Sequence, residues 1–223
     1  MPISDLSKLP DYSKLIASGI DKIQAFKPLA ELQVLNNIAK LDSNESFLGP
    51  SPAAIEVLLA KAGSESHLYP ETSGQQLKTA LATRTNTHPD CITLGNGSND
   101  VLDIVARTFC RPGDEIIFSQ YAFAAYSILT AIVGAEAVQT PATTGYGHDL
   151  KAMAGAITPK TKLIFIANPN NPTGTWSDCD ALETLLDSVP SEVRLSSVHF
   201  PRHGDWPLSG LAMPYATPRL PTT

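Results

Sequence analysis

The sequence has little cysteine: three residues in 223, at positions 91, 110 and 179. The odd number and wide spacing exclude a disulfide framework and a clustered zinc site, so free thiols in a reducing cytoplasm are expected. No apolar run comes near the ~20 residues that a membrane-crossing helix needs. Positive charge is not in excess either. Sixteen Lys and Arg stand against 22 Asp and Glu, a net charge of −6, and the electrostatic footprint of a nucleic-acid binder is missing. The charges scattered through Met1 to Lys14 surround no apolar core, so no signal peptide is expected. No Gly-x-Gly-x-x-Gly fingerprint opens a helix, which counts against a dinucleotide site. What is present is an apolar fraction of 43% and a charged fraction of 17%, as in globular proteins with one or two packed cores.

From residue 91 to 190 apolar runs alternate with helical periodicity. Cys91-Ile92-Thr93-Leu94 reads as a short strand, and Val101, Leu102, Val105 and Phe109 mark a helix. Ile116-Ile117-Phe118 is a second strand, followed by a helical face of Phe123, Tyr126 and Ile132 or Val133. Glu136–Thr140 is a third strand, and Leu150, Met153, Ala154 and Ile157 mark a short helix. Lys162–Ala167 is a fourth strand. Ser177, with Asp180 three residues on, opens a helix carrying Leu182, Leu185, Leu186 and Val189. Strand–helix alternation predicts the α/β class, a mostly parallel sheet covered by helices on both faces. Upstream, Ser51-Pro52 opens a helix with Ile55, Leu58, Leu59 and Ala62 on one face, and Leu77, Ala80 and Leu81 mark another. Ile20, Ile23, Phe26 and Leu29 give one apolar face in the mixed segment before Leu41. His88 and His148 fall in predicted loops without ligand-spaced partners and are expected at the surface.

The densest chemistry lies in Asn168-Pro169-Asn170-Asn171-Pro172-Thr173-Gly174. The prolines fix φ, and asparagine amides both donate and accept without ionising. The run follows a strand and precedes a helix, where open α/β sheets bind ligands. A second candidate is Gly95-Asn96-Gly97-Ser98-Asn99-Asp100, a glycine turn before a helix. Its glycines let the backbone approach a ligand, and a helix N-terminus offers unpaired N–H groups to an anion.

The seven-residue asparagine run resembles the signature of the fold-type I pyridoxal-phosphate aminotransferases. Leu41-Asp42-Ser43-Asn44-Glu45 with Gly49-Pro50-Ser51-Pro52 is similar to the start of histidinol-phosphate aminotransferases, apart from the missing proline after Asn-Glu-Asn. The resemblance implies the large domain of such an enzyme, incomplete here, binding pyridoxal 5'-phosphate. It implies that Gly97, Ser98 and Asn99 cup the cofactor phosphate, that Phe123 stacks on the pyridine ring and that Asn171 bonds its phenolic oxygen. It also implies that Tyr69 reaches the phosphate of the other subunit of a homodimer, and that Asn44 and Glu45 lie toward the substrate. The reaction implied moves an amino group between glutamate and imidazole-acetol phosphate in histidine biosynthesis. A threonine-phosphate decarboxylase shares the same motifs.

The resemblance runs to about Val193. In the family an aspartate strand in an Asp-Glu-Ala-Tyr context follows, and then the Schiff-base lysine. This sequence has Arg194-Leu195-Ser196-Ser197-Val198-His199 instead, and its last lysine is Lys162. The expected division is an N-terminal arm over 1–48, a partial cofactor-binding α/β domain over 49–193 and an irregular tail over 194–223. Without that lysine and aspartate the chain is expected to be inactive. The rival expectation is a non-catalytic remnant or interaction module of the same fold. A sheet lacking its later strands is also expected to leave an apolar edge and poor solubility.

Overall fold

The computed structural model describes Ile20, Ile23, residues 44–46 and 48–198, and the backbone of residues 212 and 213. Phe26, Leu29 and most of the expected N-terminal arm lie outside the described residues. The chain forms two compact units, Gln24–Cys91 and a larger one that includes everything from Ile92 onward.

The described part of the smaller unit holds helices α1 (Pro52–Glu65) and α2 (Gln75–Thr85) and a 3-10 turn, Pro89–Cys91. Pro52 opens α1 as expected, since a proline costs nothing where the N–H has no partner. The expected apolar face of α1 is present but not covered: no residue of α1 is buried, and Leu58 and Leu59 are 64% and 73% exposed. Leu81 and Ala82 of α2 are buried.

The larger unit is built on five strands, β1 (Glu115–Ser119), β2 (Glu136–Thr140), β3 (Thr161–Ala167), β4 (Arg194–Val198) and β5 (Ala212–Met213), in the order β2-β1-β3-β4-β5. The first four are parallel, and β5 pairs antiparallel with β4. Helices α3 (Ser98–Phe109) and α4 (Ala125–Ile132) cover one face, while α5 (Leu150–Gly155) and α6 (Cys179–Ser188) cover the other. Alternation divides β3 between two cores. Leu163, Phe165 and Ala167 join Leu102, Ala106, Tyr126 and Leu129 on one side. Ile164 and Ile166 join Met153, Leu185 and Leu195 on the other. Burial on both sides is why β1 and β3 read as unbroken apolar runs.

Four expectations are corrected. Cys91–Leu94 forms no strand: Cys91 closes the 3-10 turn, and residues 92–94 have no neighbouring strand among the described residues to complete a ladder. The helix after the asparagine run is capped by Asp178, not Ser177; the Asp178 carboxylate accepts from the Ala181 N–H at 2.8 Å. Arg194–Val198, placed in the irregular tail by the sequence, is a strand with Leu195, Ser196 and Val198 buried, because β3 offers it a complete parallel ladder. His148 is buried rather than at the surface, for reasons that belong to the site.

Candidate functional site

Chain order sets the site. From β1 the chain leaves through α4 toward β2, and from β3 it leaves through α6, on the opposite face, toward β4. The neighbouring strands β1 and β3 therefore flank a topological switch point, where the loops part and leave a crevice at the carboxyl edge. The β1 loop carries Phe123 and the β3 loop carries Asn171.

Helix α3 brings its N-terminus to the same edge. The guanidinium of Arg194, the first residue of β4, lies 5.7 Å from the ring centroid of Phe109, the last residue of α3. The C-terminus of α3 is thus held at the amino edge of the sheet. Twelve helical residues rise about 18 Å, against about 16 Å for a five-residue strand, so the other end reaches the carboxyl edge. Gly97, Ser98 and Asn99 stand there.

The turn before α3 is shaped by two glycines. Gly97 has φ of +81°, open only to glycine at low cost, and a Cβ there would meet nothing within 4 Å. At Gly95 a Cβ would come within 2.9 Å of Val101 Cγ2, so the turn lies hard against its own helix. The Asp100 carboxylate accepts from the Asn96 N–H at 2.9 Å and closes the turn. No side chain caps α3, leaving its first N–H groups for an anion.

The β3 loop is held by its own asparagines. Asn168 pairs twice with the backbone of Ser177, its amide donating to the carbonyl and its oxygen accepting from the N–H, both at 2.9 Å. The Asn170 N–H donates to the Thr175 carbonyl at 2.7 Å. The buried Asn170 side chain donates from Nδ2 to Tyr121 O at 2.9 Å and to Thr173 Oγ1 at 2.8 Å. Asn171 is half-buried at the turn of this loop. Phe123 is half-buried and meets Tyr126 edge-on, with ring centroids 6.0 Å apart. Tyr126 in turn stacks on Phe165 of β3 at 4.7 Å and 10°.

His148 ends the loop between β2 and α5. A bridge between Ala142 and His148 folds that loop back, and the imidazole Nε2 lies 2.9 Å from Ala167 O at the end of β3. Burial lowers its pKa from the usual histidine value, partly opposed by the Ala167 carbonyl. Tyr126, Asn170 and His148 were not singled out as site residues by the sequence. Asn170 lies inside the recognised run, but the resemblance gives a role only to Asn171, and the bonds of the Asn170 side chain depend on the loop geometry.

Tyr69, Asn44 and Glu45 are in the smaller unit, where Tyr69 is fully exposed and Asn44 adopts φ of +52°. Lys160 and Lys162 stand at the amino end of β3, the end away from Asn171, and Lys162 Nζ donates to Pro159 O at 3.2 Å. The carboxyl end of β4 is apolar, with Val198 paired with Ala167 and buried in the core that also holds Phe165 and Tyr126. Among the described residues no cluster of His, Cys, Asp or Glu could hold a metal ion.

The family model for aminotransferase class I and II matches residues 36–195. The chain belongs to the class I and II aminotransferases. Within the family it is 47% identical over 186 residues to histidinol-phosphate aminotransferase 1 of Idiomarina loihiensis, covering 81% of this chain and 50% of that protein. It is 49% identical over 179 residues to histidinol-phosphate aminotransferase 2 of Hydrogenovibrio crunogenus, covering 79% and 48%. The chain thus spans about half the length of the curated relatives it matches. The fold is similar to a histidinol-phosphate aminotransferase from Sinorhizobium meliloti solved in complex with pyridoxal-5'-phosphate. The TM-score is 0.72 at 24% identity, over 82% of this chain and 50% of that one. An aspartate aminotransferase of Thermus thermophilus gives a TM-score of 0.73 at 21% identity, over 82% and 53%.

Proposed function

We propose that residues 92–198 form the phosphate- and ring-holding part of a pyridoxal-phosphate aminotransferase of the histidinol-phosphate type. The observation that carries this reading is the meeting of three loops at one sheet edge: the uncapped N-terminus of α3, the Phe123 loop after β1 and the asparagine loop after β3. The open space beside Gly97 and the uncapped helix fit a phosphate, and the half-buried Phe123 ring and Asn171 amide are of the types that would stack on and hydrogen-bond a hydroxylated pyridine.

In this reading Gly97, Ser98 and Asn99 hold the phosphate through backbone N–H groups, Phe123 stacks on the ring and Asn171 bonds the phenolic oxygen. The cofactor supplies an electron sink for bond changes beside the substrate amine. Tyr69 would serve the phosphate of a partner subunit in a cytoplasmic homodimer, with Asn44 and Glu45 toward the substrate. The amino group would pass reversibly from glutamate to imidazole-acetol phosphate, giving 2-oxoglutarate and histidinol phosphate, a reading supported by relatives 44–49% identical.

Two observations favour a second role for these 223 residues taken alone, as a non-catalytic binder or interaction module. Lys160 and Lys162 are at the wrong end of β3 to bond the cofactor, and β4 ends in Val198 rather than a carboxylate. The chain alone would then bind pyridoxal phosphate without a covalent bond and would not transaminate.

The test is a titration of the purified chain with pyridoxal phosphate, followed by tryptophan fluorescence, then borohydride and intact mass. Saturable quenching with unchanged mass is expected, weakened in Gly97→Ala. Absence of saturable binding overturns the cofactor reading. A borohydride-fixed adduct on one lysine overturns the non-covalent part.

A further inference from the structure

We propose that Asn170 is a positioning residue: one side-chain amide clasps the loop that carries Phe123 to the loop that carries Asn171. The purpose of the clasp rests on the cofactor reading above, but its existence does not.

Asn170 is 4% exposed, and all its donors are engaged. One amide hydrogen goes to Tyr121 O at 2.9 Å, across 49 residues of chain and from one flank of the switch point to the other. The second goes to Thr173 Oγ1 at 2.8 Å, inside its own loop. The backbone is fixed as well: its N–H donates to Thr175 O at 2.7 Å, and its carbonyl accepts from the Gly174 N–H at 2.8 Å. Asn170 therefore cannot shift without moving its loop.

The side-chain oxygen shows which half of the amide matters. Oδ1 is buried and meets no donor among the described residues. An unpaired buried acceptor is costly. Turning the amide over would set an oxygen against Tyr121 O, which only accepts. The side chain is therefore held for its two hydrogens, at the expense of its oxygen. Phe123 lies two residues beyond Tyr121, and Asn171 is the next residue after Asn170. Setting the Asn170–Tyr121 bond thus sets the spacing between a stacking ring and a hydrogen-bonding amide. The phosphate turn at Gly97–Asn99 takes no part in it.

Asn170→Asp keeps the shape and removes both hydrogens. Backbone hydrogen exchange without any ligand is expected to rise about tenfold or more at residues 120–124, with strand amides at 116–118 and 163–166 unchanged. In titrations the variant is expected to bind pyridoxal phosphate about tenfold more weakly and inorganic phosphate as well as the parent does. A merely structural residue would loosen strands and loops together and weaken both ligands alike.

If Asn170→Asp does not fold, Asn170→Ser decides the question, because its hydroxyl is too short to span to Tyr121 O. Unchanged exchange at 120–124 overturns the proposal, as does loss of the fold in both variants. A parent chain that binds no pyridoxal phosphate overturns the cofactor reading instead, and the exchange result still stands.

Discussion

His148 Nε2 lies 2.9 Å from the carbonyl oxygen of Ala167, and His148 Nδ1 is buried with no partner among the described residues. The neutral ring, with its proton on Nε2, satisfies the carbonyl and leaves Nδ1 as a bare acceptor. A protonated ring would place a second donor and a charge where neither is met. Burial therefore holds the folded pKa below the usual value, against a smaller opposing effect of the Ala167 carbonyl. In that window the unfolded chain binds more protons than the folded one, so stability rises with pH. The contribution is complete above the unfolded histidine pKa of about 6.5 and is lost progressively as pH falls from there through the lowered folded value. Urea midpoints measured between pH 7.5 and 5 should fall in the parent, and His148→Gln should flatten that slope. An equal slope in both chains would show that other groups set it.

Tyr126 stacks on Phe165 at 4.7 Å, but its hydroxyl is buried without a partner among the described residues. Burial pushes its pKa well up. Removing an unpaired buried hydroxyl relieves a desolvation cost. Tyr126→Phe should therefore leave stability unchanged or raise it by up to about 1 kcal/mol, whereas Tyr126→Ala should cost about 3–5 kcal/mol through the cavity it opens. Chemical denaturation of the two variants measures both. A clear loss in Tyr126→Phe would reveal a partner for the hydroxyl.

The cap of α6 distinguishes neighbouring residues. Asp178 accepts from the Ala181 N–H, while Ser177 contributes its backbone to Asn168. Asp178→Ala should cost about 1 kcal/mol, and Ser177→Ala should stay within about 0.5 kcal/mol. Thermal or urea unfolding of the pair would refute the assignment if the order were reversed.

The three thiols should react in two classes. Cys91 and Cys179 are exposed, whereas Cys110 is buried, with its pKa pushed up to about 11 by desolvation and by Asp114. Little thiolate forms there at neutral pH, and access is closed. Native labelling with an aromatic disulfide should give two fast thiols, with the third appearing on denaturation. Three fast thiols in native buffer would contradict the core on the α3 side of the sheet.

Much of the fold was legible because its strands are short apolar runs between helices. Ile116-Ile117-Phe118 and Lys162–Ala167 appear where expected, within a residue or two, because burial on both faces leaves no polar alternation to misread. Cys91–Leu94 shows the limit: local sequence can favour extension, but a strand exists only beside a partner. Arg194–Val198 shows the converse, since it opens a proline-rich stretch without a sustained period while the ladder from β3 makes it a strand.

The sequence by itself determined the family, the α/β alternation and the residues of the two glycine- and asparagine-rich loops. Each of these is a local pattern of residue types along the chain. Only the tertiary structure decided that Asn170 rather than its neighbour spans to Tyr121, that His148 is buried under the end of β3 and that α3 points its open end to the carboxyl edge. Those facts depend on strand order and on contacts between residues tens of positions apart. Side-chain chemistry fixes which bonds a residue can make, but packing chooses the partner.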